Sequence, residues 1–198
     1  MNHNIIDAAD SSSFDRICSA LSSGELVIMP CDTIYGIVGK VDESLIALRN
    51  VKGREETKPF IRLMTLEMAR SFSCEPIGDD IVKLWPGPLT VIVDSAQEKT
   101  SVAIRVPDDP LLLSIIKKVG APLYSSSVNI SGEPSLHDFD SIAERFSDRV
   151  ALCVKGNELQ GTVASTIVDI RSVPYSLIRK GAQDISSLKL LKVENPLI

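Results

Sequence analysis

Short apolar runs interleaved with short amphipathic segments constrain the fold of this chain more than any other feature of its sequence. Residues 26–29, 89–93 and 102–106 are typical of buried strands, whereas the apolar residues within Ser13–Ser22 recur at helical spacing. The two kinds of segment do not alternate strictly, so parallel and antiparallel strand pairs are both expected. The sequence therefore predicts a mixed α/β (α+β) fold.

The rest of the pattern predicts further elements of both types. Strands are predicted at residues 60–64, 123–126, 151–154, 166–170 and 176–178. Helices are predicted at residues 42–52, 65–71, 81–85, 111–119 and 139–146, with a final helix as the hypothesis for 185–193. Residues 31–36 are predicted to form a loop after the first strand. No repeat or linker-like segment interrupts residues 1–198, so a single domain is expected.

Charge and cysteine content exclude several classes of protein. The 198 residues carry a formal net charge of −5, so any phosphate or nucleic-acid site must be a local concentration of basic residues. The four cysteines are far apart, which leaves zinc-binding and thioredoxin-like sites without support. The N-terminus shows no secretory signal, and no run of about 18 apolar residues is present. We therefore expect a cytoplasmic protein with reduced thiols and no membrane contact.

A basic cluster stands out in this acidic chain. Arg49, Lys52, Arg54, Lys58 and Arg62 lie within fourteen residues of sequence. Cations on a loop between two rigid elements can converge on one anion, such as a phosphate. The alternative is a solvated surface loop that follows a helix C-terminus, where lysine and arginine are favourable. Composition alone does not decide between these two interpretations.

Hydroxyl-rich segments form a second group of candidates. Residues 125–132 follow an apolar strand and could present hydroxyls and N–H groups to an anion, although an ordinary polar turn has the same composition. Arg105 shares a strand face with Ser101 and could bind a carboxylate through its planar fork, or lie on a solvated edge strand. Ser165 and Arg179 form a further weak pair of the same kind.

The catalytic chemistry that these residues favour is non-covalent. The sequence contains two histidines and neither a G-x-S-x-G nor a P-loop motif, so a hydrolase triad and a P-loop nucleotide site are both unsupported. Lysine, arginine, serine and asparagine act by positioning and by neutralising charge. This style is typical of nucleotidyl transfer, in which the phosphoryl group needs electrostatic stabilisation rather than a nucleophilic side chain.

Seven motifs, in the same order, resemble those of the YrdC family. They are P-C-D-T-I-Y-G at residues 30–36, K-G-R with K-P at 52–59, W-P-G-P-L-T at 85–90, S-V-A-I-R-V-P at 101–107, S-V-N at 127–129, S-T-I-V-D at 165–169 and I-R-K-G at 178–181. The resemblance implies one YrdC-like domain, in which a twisted mixed sheet flanked by helices surrounds a central basic cavity. It also implies an L-threonylcarbamoyladenylate synthase, a nucleotidyltransferase that uses L-threonine, bicarbonate and ATP and releases pyrophosphate.

The resemblance also implies roles for individual residues. The threonine-binding set is Thr33, Tyr35, Arg105, Ser127 and Ser165, and the ATP-binding set is Arg54, Lys58, Ser101, Asn129 and Arg179. Lys52, Arg54 and Lys58 would form the catalytic cationic surface. Mg²⁺ is expected with ATP, and no protein-bound structural metal is expected. Partner proteins would transfer the threonylcarbamoyl group to N6 of adenosine 37 in tRNA.

The motifs depart from the family pattern in two places. Cys31 stands where threonine is usual, and Ser135-Leu136-His137 replaces a common S-P-T segment. Two alternatives therefore stay open: a YciO-like paralogue with the same fold, and a double-stranded RNA-binding protein without synthase activity. The intact K-x-R and S-x-N motifs favour the synthase over the paralogue, and the low aromatic content of 5% offers few stacking platforms for RNA bases.

Overall fold

The computed structural model describes residues 4–53, 55, 59–156 and 163–191. Within this part of the chain ten strands form one mixed sheet. The strands are β1 (Ile5–Asp7), β2 (Val27–Pro30), β3 (Tyr35–Lys40), β4 (Ile61–Leu63), β5 (Leu89–Asp94), β6 (Ser101–Arg105), β7 (Leu123–Ser127), β8 (Leu152–Lys155), β9 (Thr166–Asp169) and β10 (Ser176–Arg179). Their order across the sheet is β1-β8-β2-β3-β7-β4-β6-β5-β9-β10.

Six helices accompany the sheet in the described residues. They are α1 (Ser13–Ser22), α2 (Leu45–Lys52), α3 (Leu66–Phe72), α4 (Asp79–Val82), α5 (Pro110–Val119) and α6 (Phe139–Phe146). Side-chain caps mark the N-termini of α3, α5 and α6. Thr65, Asp109 and Asp138 each accept a hydrogen bond from a backbone N–H of the first turn. None of these helices combines the length and the apolar character needed to cross a bilayer.

Both directions of strand pairing occur, as the sequence predicts. The pairs β2–β3, β3–β7, β4–β7, β5–β6 and β9–β10 are antiparallel, whereas β1–β8, β2–β8, β4–β6 and β5–β9 are parallel. A mixed α/β fold is therefore confirmed. The sheet places β6 between β4 and β5, so Arg105 lies on an interior strand and the edge-strand alternative for this residue is wrong.

The sequence predictions miss two strands and misplace two helices. Tyr35–Lys40, predicted in part as a loop, is β3 and pairs with β2 in a tight hairpin, and Ile5–Asp7 forms an edge strand. The helix predicted at 81–85 begins and ends earlier, at Asp79–Val82, before the cis Trp85–Pro86 bond. Residues 185–191 form turns and a bridge between Tyr175 and Leu190, so the final-helix hypothesis is wrong for the described part of that segment.

Apolar side chains pack on both faces of the sheet in three clusters. The hydroxyl-rich segments line a cleft that these clusters leave open. One cluster joins α1 and α5 to β2 and β8, and a second joins α2 and α6 to β3 and β7. A third cluster packs α3 and Trp85 against β5, β6 and β9, where Val102, Ile104 and Val106 point into it. Because β6 alternates, its other face carries Ala103 and Arg105 into a cleft that this packing leaves open.

Candidate active site

A cleft of about 410 Å³ opens over the strands that carry the hydroxyl-rich segments. Residues from β3, β5, β6, β7 and β10 line it, together with the turn between β2 and β3 and the segment that leads into β9. Six of the predicted site residues lie on this lining: Thr33, Tyr35, Arg105, Ser127, Ser165 and Arg179. The fold therefore brings the proposed threonine set together from positions spread over 133 residues of sequence, counted from 33 to 165 inclusive.

Arg105 is the buried cation of this cleft. Its side chain is 4% exposed, and one terminal nitrogen donates a hydrogen bond to Thr33 Oγ1 at 3.2 Å. The other terminal nitrogen lies 3.1 Å from Asp32 Oδ1 in an ion pair. The Nε atom is buried and has no hydrogen-bond partner among the described residues. A donor left unpaired in a buried site is costly, so the remaining hydrogen-bonding capacity of Arg105 suits an anionic ligand.

Ser165 and Arg179 meet on the other side of the cleft. Arg179 donates to the carbonyl oxygen of Ser165 from Nε at 3.1 Å and from Nη2 at 2.9 Å, and it lies 3.2 Å from Ser165 Oγ. Partial burial and the positive charge of Arg105 both lower the pKa of Arg179. Two guanidinium groups thus influence each other across the cleft. The repulsion between them favours an anion bound between them.

Two residues that sequence reasoning missed hold Ser165 in place. The hydroxyl of Thr90 is fully buried and lies 2.8 Å from Ser165 Oγ. A Cβ atom at Gly181 would lie 2.3 Å from the carbonyl oxygen of Ala164, so only glycine allows the chain after β10 to pass so close. Both residues stand inside motifs noted in the sequence. Nothing in the local pattern showed that they contact Ser165.

Tyr35 forms a wall of the cleft and supports the hairpin. It is 4% exposed, and its hydroxyl accepts a hydrogen bond from the backbone N–H of Gly156 at 3.2 Å. Burial raises the pKa of this phenol, so it stays protonated over the physiological range. Gly36 follows directly, and a Cβ atom there would lie 2.9 Å from Cys31 Sγ. The close approach of these two residues fixes the turn that carries Asp32 and Thr33.

Lys52 is a buried residue, so the interpretation of the basic cluster as a solvated surface loop is wrong for this side chain. It ends α2, is 1% exposed, and its ammonium group donates to the carbonyl oxygen of Ser127 at 2.6 Å and to Asn129 Oδ1. Ser127 Oγ also donates to Asn129 Oδ1 at 2.8 Å. Lys52 therefore holds the S-V-N turn from behind. It is not among the residues that line the cleft.

Two other members of the basic cluster, Arg49 and Arg62, do not line the cleft. Arg62 points away from the cleft, pairs with Glu98 through both oxygens, and stacks 5.5 Å from the ring centroids of Phe72 and Tyr124. Arg54 and Lys58 lie outside the described residues. Ser101 lines a separate pocket of about 190 Å³ together with both Arg49 and Arg62. Pro59 and Phe60 line both this pocket and the cleft, so the two adjoin.

A larger groove of about 890 Å³ lies between the β3–α2 turn, α3 and the end of α5. None of the predicted site residues lines it. Within the described residues, no group of three histidine, cysteine, aspartate or glutamate side chains is placed to hold a metal ion. The cleft with Arg105 and Arg179 therefore remains the better candidate for the active site.

The cysteines near the site should be chemically inert, and this can be measured. Cys18, Cys31 and Cys153 are buried free thiols, and Cys74 is exposed. Burial raises the pKa of Cys31 to about 12 and that of Cys153 to about 11, so both are protonated at pH 8 and react poorly. We expect iodoacetamide to modify Cys74 alone in the native protein and all four cysteines in denaturant. Mass spectrometry of the peptides provides the measurement, and rapid native alkylation of Cys31 would contradict its burial.

Comparisons with known proteins agree with the architecture. The family model Sua5_yciO_yrdC, described as telomere recombination, matches residues 19–181. A threonylcarbamoyl-AMP synthase of Pyrococcus abyssi is 27% identical over 85% of this chain, which spans 54% of that protein. This chain thus covers about half the length of that curated relative.

Two solved structures resemble the chain closely in fold. The crystal structure of P. abyssi Sua5 complexed with L-threonine has a TM-score of 0.82 at 25% identity, covering 94% of this chain and 62% of the other. Escherichia coli YciO has a TM-score of 0.80 at 17% identity, covering 93% and 96%, which shows a shared fold. With the family model matching most of the sequence, this chain belongs to the Sua5/YciO/YrdC family.

Proposed function

We propose that this protein is an L-threonylcarbamoyladenylate synthase, which makes threonylcarbamoyl-AMP and pyrophosphate from L-threonine, bicarbonate and ATP. The observation that carries the proposal is the pairing of Arg105 and Arg179 with the hydroxyls of Thr33 and Ser165 in one cleft. No acidic side chain belongs to the described lining of this cleft. The name of the P. abyssi relative and the threonine bound in the Sua5 structure support the same reaction.

The groups of the cleft divide naturally between the two organic substrates. The planar fork of Arg105 matches a carboxylate, and the nearby hydroxyl of Thr33 can bond a polar group of the same ligand. Arg179 lies at the end of edge strand β10 and is exposed enough to meet a phosphate. The product requires a new N–C bond to the bicarbonate carbon, which breaks one C–O bond of bicarbonate and releases water. It also requires a new O–P bond to the α-phosphorus, which breaks the P–O bond to the leaving pyrophosphate. The guanidinium groups of Arg105 and Arg179, which the protein holds in place, would stabilise the negative charge that develops on the reacting oxygens.

The nucleotide is proposed to bind as its magnesium complex. Among the described side chains, no cluster of metal ligands is present, so the metal ion would arrive on the phosphate oxygens of ATP. Arg54, Lys58, Ser101 and Asn129 remain predicted ATP-binding residues. Asn129 is 8% exposed and does not line the cleft, and Ser101 is exposed and lines the adjoining pocket. A nucleotide that contacts Ser101 would therefore extend from the cleft past Pro59 and Phe60, which line both.

The product defines the proposed partners. Threonylcarbamoyl-AMP is a reactive mixed anhydride, so a second protein must take up its acyl group before water does. We propose that partner proteins transfer the group to N6 of adenosine 37 in tRNA, and that the reaction takes place in the cytoplasm. The YciO-like and RNA-binding alternatives make different predictions for the same purified chain.

Pyrophosphate release should require threonine and bicarbonate together, because the anhydride cannot form without both. We expect purified protein to release pyrophosphate with ATP, Mg²⁺ and both co-substrates, and to make an adenylate detectable by mass spectrometry. Omitting threonine, removing dissolved carbon dioxide or adding excess chelator should each abolish the signal. Full-rate release without threonine would contradict the proposal. Absence of adenylate would favour the YciO-like alternative, and salt-dependent binding of double-stranded RNA without turnover would favour the RNA-binding one.

A further inference from the structure

Asp32 is a buried acid directly behind the proposed carboxylate site. It lies in the turn between β2 and β3, and its side chain is 3% exposed. Its Oδ1 atom lies 3.1 Å from Arg105, and its Oδ2 atom accepts a hydrogen bond from the backbone N–H of Asp108 at 3.2 Å. Asp32 does not line the cleft itself. Its contact with Arg105 is therefore a direct route by which this carboxylate can affect a ligand in the cleft.

Two consecutive residues of one turn hold the two ends of the Arg105 guanidinium. Asp32 Oδ1 lies 3.1 Å from one terminal nitrogen in an ion pair without hydrogen-bond geometry, and Thr33 Oγ1 accepts a hydrogen bond from the other at 3.2 Å. The Nε–H group of Arg105 is buried and has no hydrogen-bond partner in the described part of the chain. Arginine has five N–H donors in a rigid plane, so an ion pair at one terminal nitrogen and a hydrogen bond at the other restrict the direction of the Nε–H as well.

The turn itself is well anchored, so it can act as a rigid support. The N–H of Cys31 donates to the carbonyl oxygen of Ile34 at 3.1 Å and closes the turn. The bond from Asp108 ties the same turn to the segment that follows β6. A long arginine side chain has several rotamers, and the free-energy cost of ordering it on binding is lower when the protein already holds it.

We propose that Asp32 is a positioning residue, which orients the guanidinium of Arg105 before the anionic substrate binds. The negative charge of Asp32 also offsets the repulsion between Arg105 and Arg179. That repulsion is seen in the pKa of Arg179, which the positive charge of Arg105 lowers. This inference rests on the proposed function, because it assigns the oriented guanidinium to the threonine carboxylate. Removing the charge of Asp32 should weaken threonine binding through Arg105 and leave the nucleotide site unchanged.

A double-mutant cycle tests whether Asp32 acts through Arg105. We expect Asp32→Asn to raise the KM for threonine about tenfold, with the KM for ATP and kcat changed less than about twofold. In an Arg105→Lys background the same substitution should change the threonine KM by less than about twofold, because the group to be positioned is gone. Asp108→Asn is the matched control, since it removes an exposed carboxylate nearby and keeps the backbone N–H that bonds Asp32.

Three outcomes overturn the proposal: equal rises in the KM for both substrates, an undiminished effect in the Arg105→Lys background, or tighter threonine binding in Asp32→Asn. If Asp32→Asn does not fold, nitrogen-15 NMR of the wild-type protein decides. The Nε–H signal of Arg105, assigned by its loss in Arg105→Lys, should show slow rotation of the guanidinium without threonine. Free rotation overturns the proposal. An inactive wild-type protein would instead count against the proposed function. The NMR measurement does not depend on turnover, so it tests the positioning role separately.

Discussion

Replacing Arg105 by lysine is expected to weaken threonine binding by about 1–3 kcal/mol, which is about 5- to 150-fold in the dissociation constant. A lysine ammonium is a point charge and cannot reproduce the two parallel bonds of a guanidinium with a carboxylate. The substitution also breaks the contacts with Asp32 and Thr33 that orient the group. ATP affinity should change little. Isothermal titration calorimetry with each substrate alone provides both values.

A matched control separates the site from a general effect of removing an arginine. Arg171 is partly exposed and binds Asp169 through two bonds of 2.9 and 2.6 Å, outside the cleft. Arg171→Lys should therefore leave threonine affinity unchanged. A fall in ATP affinity with unchanged threonine affinity in Arg105→Lys would assign Arg105 to the nucleotide site. The proposed division of the cleft would then be wrong.

Replacing Lys52 by methionine is expected to lower the free energy of unfolding by about 2–4 kcal/mol, because two buried acceptors lose a charged donor. The acceptors are the carbonyl oxygen of Ser127 and Oδ1 of Asn129, both on the turn behind the cleft. The melting temperature should fall by roughly 5–15 °C for a chain of this size. The proposed synthase activity should fall as well, because the turn carries a hydroxyl of the cleft lining. Thermal and urea unfolding provide the two stability values.

The control for this stability effect is a lysine at a comparable position on another helix. Lys118 lies in the last turn of α5, which ends at a left-handed glycine as α2 does, but its side chain is exposed. Lys118→Met should change the free energy of unfolding by less than about 0.5 kcal/mol, as surface substitutions usually do. A wild-type melting temperature for Lys52→Met would show that Lys52 is not the support of the S-V-N turn.

Elements with a complete local signal could be predicted from the sequence. The helix Ser13–Ser22 has the predicted bounds at both ends, because the spacing of its apolar residues is regular and Gly24 follows it. The helix Pro110–Val119 matches because proline at its start and glycine after its end give both boundaries. Strand β3 was missed because glycines at 36 and 39 interrupt its pattern, and its residues are buried on both faces. Its strand character depends on pairing with β2 and β7.

The sequence by itself favoured non-covalent chemistry, because its motifs supply guanidinium, ammonium, hydroxyl and amide groups and contain neither a G-x-S-x-G nor a P-loop motif. Its ordered motifs also contain the six predicted residues that line the cleft. Tertiary structure decided how these groups are used. Lys52, Arg62 and Arg105 look alike in sequence, yet one supports a turn, one pairs with Glu98 and one lines the cleft. The partners that set each role are distant in sequence, and a charge placed in a folded protein takes the role that its nearest buried partners allow.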